Sequence, residues 1–120
     1  MIRLLKFYVK ESLIYRDYRT WPYDITREQT VKAVQVVCQR YGLKIPEVKF
    51  TGRTRHFCLW AEDVLRFVPG CITVEDVAHE LAHYIRSRVY GCHRHFEPLM
   101  DLIGELIPIV LEAVGKKPLS

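Results

Sequence analysis

Thr73-Val74-Glu75-Asp76-Val77-Ala78-His79-Glu80-Leu81-Ala82-His83-Tyr84-Ile85 is the stretch on which the fold turns. Pro69-Gly70 just ahead of it is a strong turn signal, and Thr73 followed three residues later by Asp76 has the pattern of a helix start. Val77, Leu81, Tyr84 and Ile85 then recur at helical spacing. They predict a helix that turns this stripe inward and ends at Gly91.

Inside that helix lies His79-Glu80-Leu81-Ala82-His83. On an α-helix, positions four apart differ by about 40° in rotation and roughly 6 Å in rise, so both imidazoles project to one side and can share a zinc ion. Glu80 stands beside such a metal rather than on it. There it can accept a proton from an activated water and return it to a leaving amine. Five His and nine Glu scattered at random over 120 residues would give about 0.015 matches to this pattern, so composition does not account for it. The plainer alternative is an ordinary helix surface on which His79 and His83 pair with Glu75 or Asp76.

A catalytic zinc takes three protein ligands and keeps one position open, so a third donor is needed. Cys92, His93, His95, Glu97 and Asp101 follow the helix. The helix continues about two turns past His83, roughly 10 Å, and the returning chain then needs several extended residues to come level with the metal. His95, just ahead of the next helix start, has the best reach. His93 needs a tighter return and stands as the alternative third ligand. Cys92 needs a tighter one still, and Glu97 is reached only if the last helix packs back antiparallel from its first turn.

Outward from the motif, Thr26 and Gln29 form a capping-box pattern ahead of a helix over 27–41, with Val31, Val34, Val37 and Cys38 inward and Gly42 as its stop. Residues 48–51, 57–61 and 64–68 read as three short strands, and together they suggest a small antiparallel sheet. The last helix is expected from about Pro98, with Leu99, Leu102, Ile103, Leu106 and Val110 inward and a kink at Pro108. Residues 2–18 fit neither the helical nor the strand period. The expected architecture is α+β: a core helix, a three-stranded antiparallel sheet, the histidine helix and a C-terminal helix.

Length and composition agree with one domain over residues 1–120: 49% of residues are hydrophobic and 27% charged, which argues against disorder. No apolar run reaches the roughly 20 residues of a membrane span, and the opening segment is studded with charge and bulky aromatics instead of a secretory core. A cytoplasmic protein acting as a monomer is expected. Cys38, Cys58, Cys71 and Cys92 make no Cys-x-x-Cys pair, consistent with reduced thiols. Residues 1–60 carry 12 Lys+Arg against 5 Asp+Glu (+7), whereas residues 61–120 carry 6 against 9 (−3). Arg16, Arg19, Arg27, Arg53 and Arg55, interleaved with Tyr15, Tyr18 and Trp21, could give a weak nucleic-acid contact, though a solvated basic face is the simpler account.

The His-Glu-Leu-Ala-His-Tyr-Ile helix (79–85), followed by His95-Phe96-Glu97-Pro98-Leu99-Met100, resembles the SprT-like zinc metallopeptidases and the small phage and archaeal metallohydrolases related to them. The resemblance covers about residues 26–107. It implies a minimal zincin fold, a neutral zinc protease acting on protein or peptide, His79, His83 and His95 as ligands of Zn2+, and Glu80 as general base. The family's later motif reads His-Gly-x-x-aromatic, whereas Cys92-His93-Arg94-His95-Phe96 has no Gly after a His. The C-terminal cysteine ribbon of larger relatives is also missing. The rival expectation is a binding or regulatory protein of zincin shape, with structural zinc and a basic first half that grips a nucleic acid or an acidic partner.

Overall fold

Thr26 opens the first helix in the computed structural model, which describes residues 24–52, 57–59, 63–90 and 97–116. The Gln29 amide donates to Thr26 Oγ1 at 3.0 Å, and the Thr26 amide donates to Gln29 Oε1 at 2.8 Å, so the capping box forms in both directions. The helix, α1, spans Arg27–Arg40, and Gly42 follows it with a φ of 66° that suits glycine. Val34, Val37 and Cys38 are buried as expected, and Thr30 and Ala33 complete the stripe in place of Val31. Thr30 tolerates burial because its hydroxyl donates to the Thr26 carbonyl at 2.8 Å. Val31 is left half-exposed beside Arg27 and Lys32.

Three strands follow: β1 Glu47–Phe50, β2 Phe57–Leu59 and β3 Val64–Phe67. The expected antiparallel three-stranded sheet is not what forms. β3 is central, pairing antiparallel with β2 but parallel with β1, in the order β1-β3-β2. Burial explains this arrangement. Val64, Leu65 and Phe67 are all buried, as suits a central strand, whereas β1 alternates exposed and half-buried residues, as suits an edge. To leave β1 and begin β2, the chain must skip one strand, about 9.6 Å. Residues 51–56 are long enough for that step. Leu65 and Phe67 lie in the core, and their partners in register, Val48 and Phe50, pack against it on the same face.

Asp63 ties the start of β3 to two helices. Its backbone takes a left-handed φ of 55°, which a short Asp side chain tolerates. Its carbonyl accepts from the Glu47 amide at 2.9 Å, and its carboxylate pairs with Lys44, just beyond α1, and with Arg88.

The histidine helix, α2, spans Val74–Tyr90. The Thr73 amide donates to Asp76 Oδ2 at 2.9 Å and the Asp76 amide donates to Thr73 Oγ1 at 3.2 Å, so the start read from the sequence is a reciprocal cap. A one-residue bridge between Asp24 and Thr73, with Ile25 N–H on the Ile72 carbonyl at 2.8 Å, anchors the same point. Thr73→Ala should cost about 1 kcal/mol in urea unfolding, with Thr73→Ser close to wild type; an unchanged Thr73→Ala midpoint would show that the cap does not hold this end.

The last helix, α3, spans Glu97–Ala113, with Pro98 in its first turn, and continues through Pro108. Leu99, Ile103, Leu106 and Val110 are buried as expected, and Met100, Ile107 and Leu111 widen the stripe, while Leu102 is half-buried. α3 packs against both α2 and α1. Across the α1–α3 junction the Tyr41 hydroxyl donates to Glu105 Oε1 at 2.5 Å. Partial burial, then that carboxylate, raise the Tyr41 phenol well above its ordinary range. Among the described residues, no helix is long and apolar enough to cross a membrane. The expectations for residues 2–18, for Trp60 and Ala61 in the second strand and for the stop at Gly91 lie outside the described residues.

Candidate metal centre

The rotation of α2 is set by its core side. Leu81, Tyr84 and Ile85 are buried in the main cluster, and the Tyr84 hydroxyl donates to the Lys44 carbonyl at 2.7 Å. These residues fix the opposite flank by helical geometry, and His79 and His83 lie on it. Asp76, His79, Arg86 and Ser87, the half-exposed positions of an otherwise buried helix body, fall within about 100° of rotation on that flank. Tyr84 belongs to the core face, as its spacing predicts.

The two imidazoles converge. His79 Nε2 and His83 Nε2 are 3.2 Å apart, with ring centroids 5.0 Å apart and planes inclined at 41°. Two nitrogens bound at 2.0–2.1 Å to a tetrahedral zinc are separated by about 3.3 Å, so the pair has the spacing that a shared ion requires. The same spacing admits a hydrogen bond from one neutral ring to the other. His83 is 8% exposed and so is not the surface residue of the plainer reading, whereas His79 is half-exposed; Glu80 is 9% exposed. Asp76, one of the partners that reading needs, accepts the Thr73 amide.

His95, His93 and Cys92, expected as sources of a third ligand, lie outside the described residues. Among the described residues, no group of three His, Cys, Asp or Glu side chains comes together as a metal site. Asp101 is exposed on α3 and lines a groove of about 440 Å³ with Tyr41, Arg86 and Glu105.

β2 runs beside α2 and is an edge of the sheet among the described residues, the position that strand addition by an extended peptide would use. Of the basic residues proposed for nucleic acid, Arg27 stacks its guanidinium over Phe50, 5.4 Å from the ring centroid. Arg16, Arg19, Arg53 and Arg55, with Tyr15, Tyr18 and Trp21, lie outside the described residues. Burial pushes the Cys38 thiol up to about 11, which leaves it protonated and inert.

Glu75 was legible in the sequence only as a surface partner for the histidines, yet it is 3% exposed. No protein-family model, curated protein or solved structure matches the chain.

Proposed function

We propose that the protein is a zinc-dependent metallopeptidase of minimal zincin type, related to the SprT-like enzymes. The observation that carries this proposal is the 3.2 Å approach of His79 Nε2 to His83 Nε2 on one flank of α2, with Glu80 between them in sequence.

His79 and His83 would hold the ion, with His95, or in its place His93, as the third ligand. Zinc bound there supplies Lewis acidity and lowers the pKa of a water to near neutrality. Glu80 takes the proton of the attacking water on a carboxylate oxygen, then delivers it to the departing amine nitrogen. Its 9% exposure keeps that carboxylate largely out of bulk water. The outer edge of β2 would bind the substrate chain through main-chain hydrogen bonds, which favours extended, unfolded segments and broad side-chain tolerance.

Incubation of zinc-loaded protein with an unfolded polypeptide such as reduced casein tests the reading. Fragments should appear, vanish with a chelator and return when zinc is restored; no cleavage by fully zinc-loaded protein would contradict peptidase activity on unfolded chains.

A further inference from the structure

The C-terminal half of α2 is joined to the start of the sheet by contacts that the catalytic scheme above does not use. The hydroxyl of Tyr84, a fully buried side chain, donates to the Lys44 carbonyl at 2.7 Å and so holds α2 to the link between α1 and β1. The Arg88 guanidinium lies over the Tyr84 ring, 5.6 Å from its centroid, and pairs with the Asp63 carboxylate. Asp63 in turn accepts the Glu47 amide at 2.9 Å and immediately precedes β3. Lys44 also reaches Asp63, at 3.5 Å, but its side chain is 77% exposed, so that pair contributes little beside the one with Arg88.

Both ends of this latch bear on the proposed chemistry. On α2, Tyr84 is the residue after His83, and Arg88 stands about 7.5 Å farther along the axis than His83. On the sheet, Asp63 adjoins Val64, whose partner in register is Leu59 of β2. The latch therefore runs from the helix that carries the two imidazoles to one end of the strand whose outer edge would bind the substrate. Main-chain pairing with an edge fixes the height of a peptide carbonyl, and an error of about 1 Å in such a placement can cost about 100-fold in rate.

We infer that Asp63, Tyr84 and Arg88 are positioning residues that hold β2 at a set offset from His79 and His83, so that a peptide paired with the β2 edge lies level with the metal centre. This rests on the peptidase reading above. The spacing of His79 to His83 is set within one helix and does not depend on the latch.

Asp63→Asn removes the charge and keeps a residue type that tolerates the left-handed backbone at this position, φ 55°. Tyr84→Phe removes the hydroxyl and keeps the ring. Thr26→Ala, which loses the cap at the far end of α1, is the control for stability loss alone. At a temperature where all variants are folded, Asp63→Asn and Tyr84→Phe should bind zinc as wild type does and keep a near wild-type KM for reduced casein. Their kcat should fall by about 10- to 100-fold, while Thr26→Ala keeps the wild-type kcat. Amide spectra of the metal-free proteins read the offset without activity: the Phe57 amide, at the end of β2 away from Asp63, should shift in Asp63→Asn and stay in Thr26→Ala. Wild-type kcat in both latch variants, a fall no larger than that of Thr26→Ala, or shifts confined to residues beside Asp63 overturns the inference alone. A zinc-loaded wild type that cleaves nothing overturns the peptidase reading, and this inference with it.

Discussion

Glu80→Gln should leave a folded, zinc-binding protein that cleaves its substrate about 10²–10⁴-fold more slowly. The two side chains have nearly the same volume, so a 9%-exposed position can accept the change without a cavity. Both are also good helix formers, so α2 is not disturbed. What disappears is the proton acceptor. An amide oxygen cannot take the proton of the attacking water at neutral pH, nor can the side chain return one to the amine. Zinc affinity and melting temperature should stay near wild type while turnover collapses. Full turnover in Glu80→Gln would remove this residue from the mechanism.

His83→Ala should act at an earlier step. Structural zinc sites with four ligands bind with about 10–16 kcal/mol, roughly 2.5–4 kcal/mol per ligand, so losing one should weaken zinc binding by about 10²–10³-fold. Activity should fall with occupancy. Alanine is the strongest helix former, and His83 lies on the flank opposite Leu81 and Tyr84, so the metal-free helix should persist. Circular dichroism of the metal-free variant should match wild type. Equal zinc affinity in wild type and His83→Ala would mean that the 3.2 Å approach of the two rings is only a hydrogen bond between them.

The helices were legible because local chemistry sets their ends. Thr26 with Gln29 and Thr73 with Asp76 each declare a helix start, and both reciprocal caps form. Strand pairing was not legible, because it depends on competition for the buried central place. β3 holds that place through Val64, Leu65 and Phe67, so β1 pairs with β3 in parallel instead of with β2. The short spacing between runs suggested hairpins and carried no information about that competition. In α1, Val31 fitted the helical period as well as its neighbours did. The outcome turned on Thr30, whose hydroxyl satisfies itself on the Thr26 carbonyl and so can be buried.

At the site, the His-Glu-x-x-His spacing put both imidazoles on one flank before any coordinates were needed. The closeness of their nitrogens follows from side-chain rotation, which spacing does not specify. Tyr84 shows the limit in the other direction. It is adjacent to His83 in sequence. One residue is about 100° of helix, however, and that turns it into the core to donate to the Lys44 carbonyl.

Metal content per chain is the most direct test of the central claim. Wild-type protein purified without added metal, dialysed and analysed by native mass spectrometry should carry close to one zinc, while His79→Ala and His83→Ala, prepared in the same way, carry little or none. A wild-type chain that stays metal-free after incubation with equimolar zinc would contradict the account, and His79 and His83 would then be a hydrogen-bonded pair on an ordinary helix.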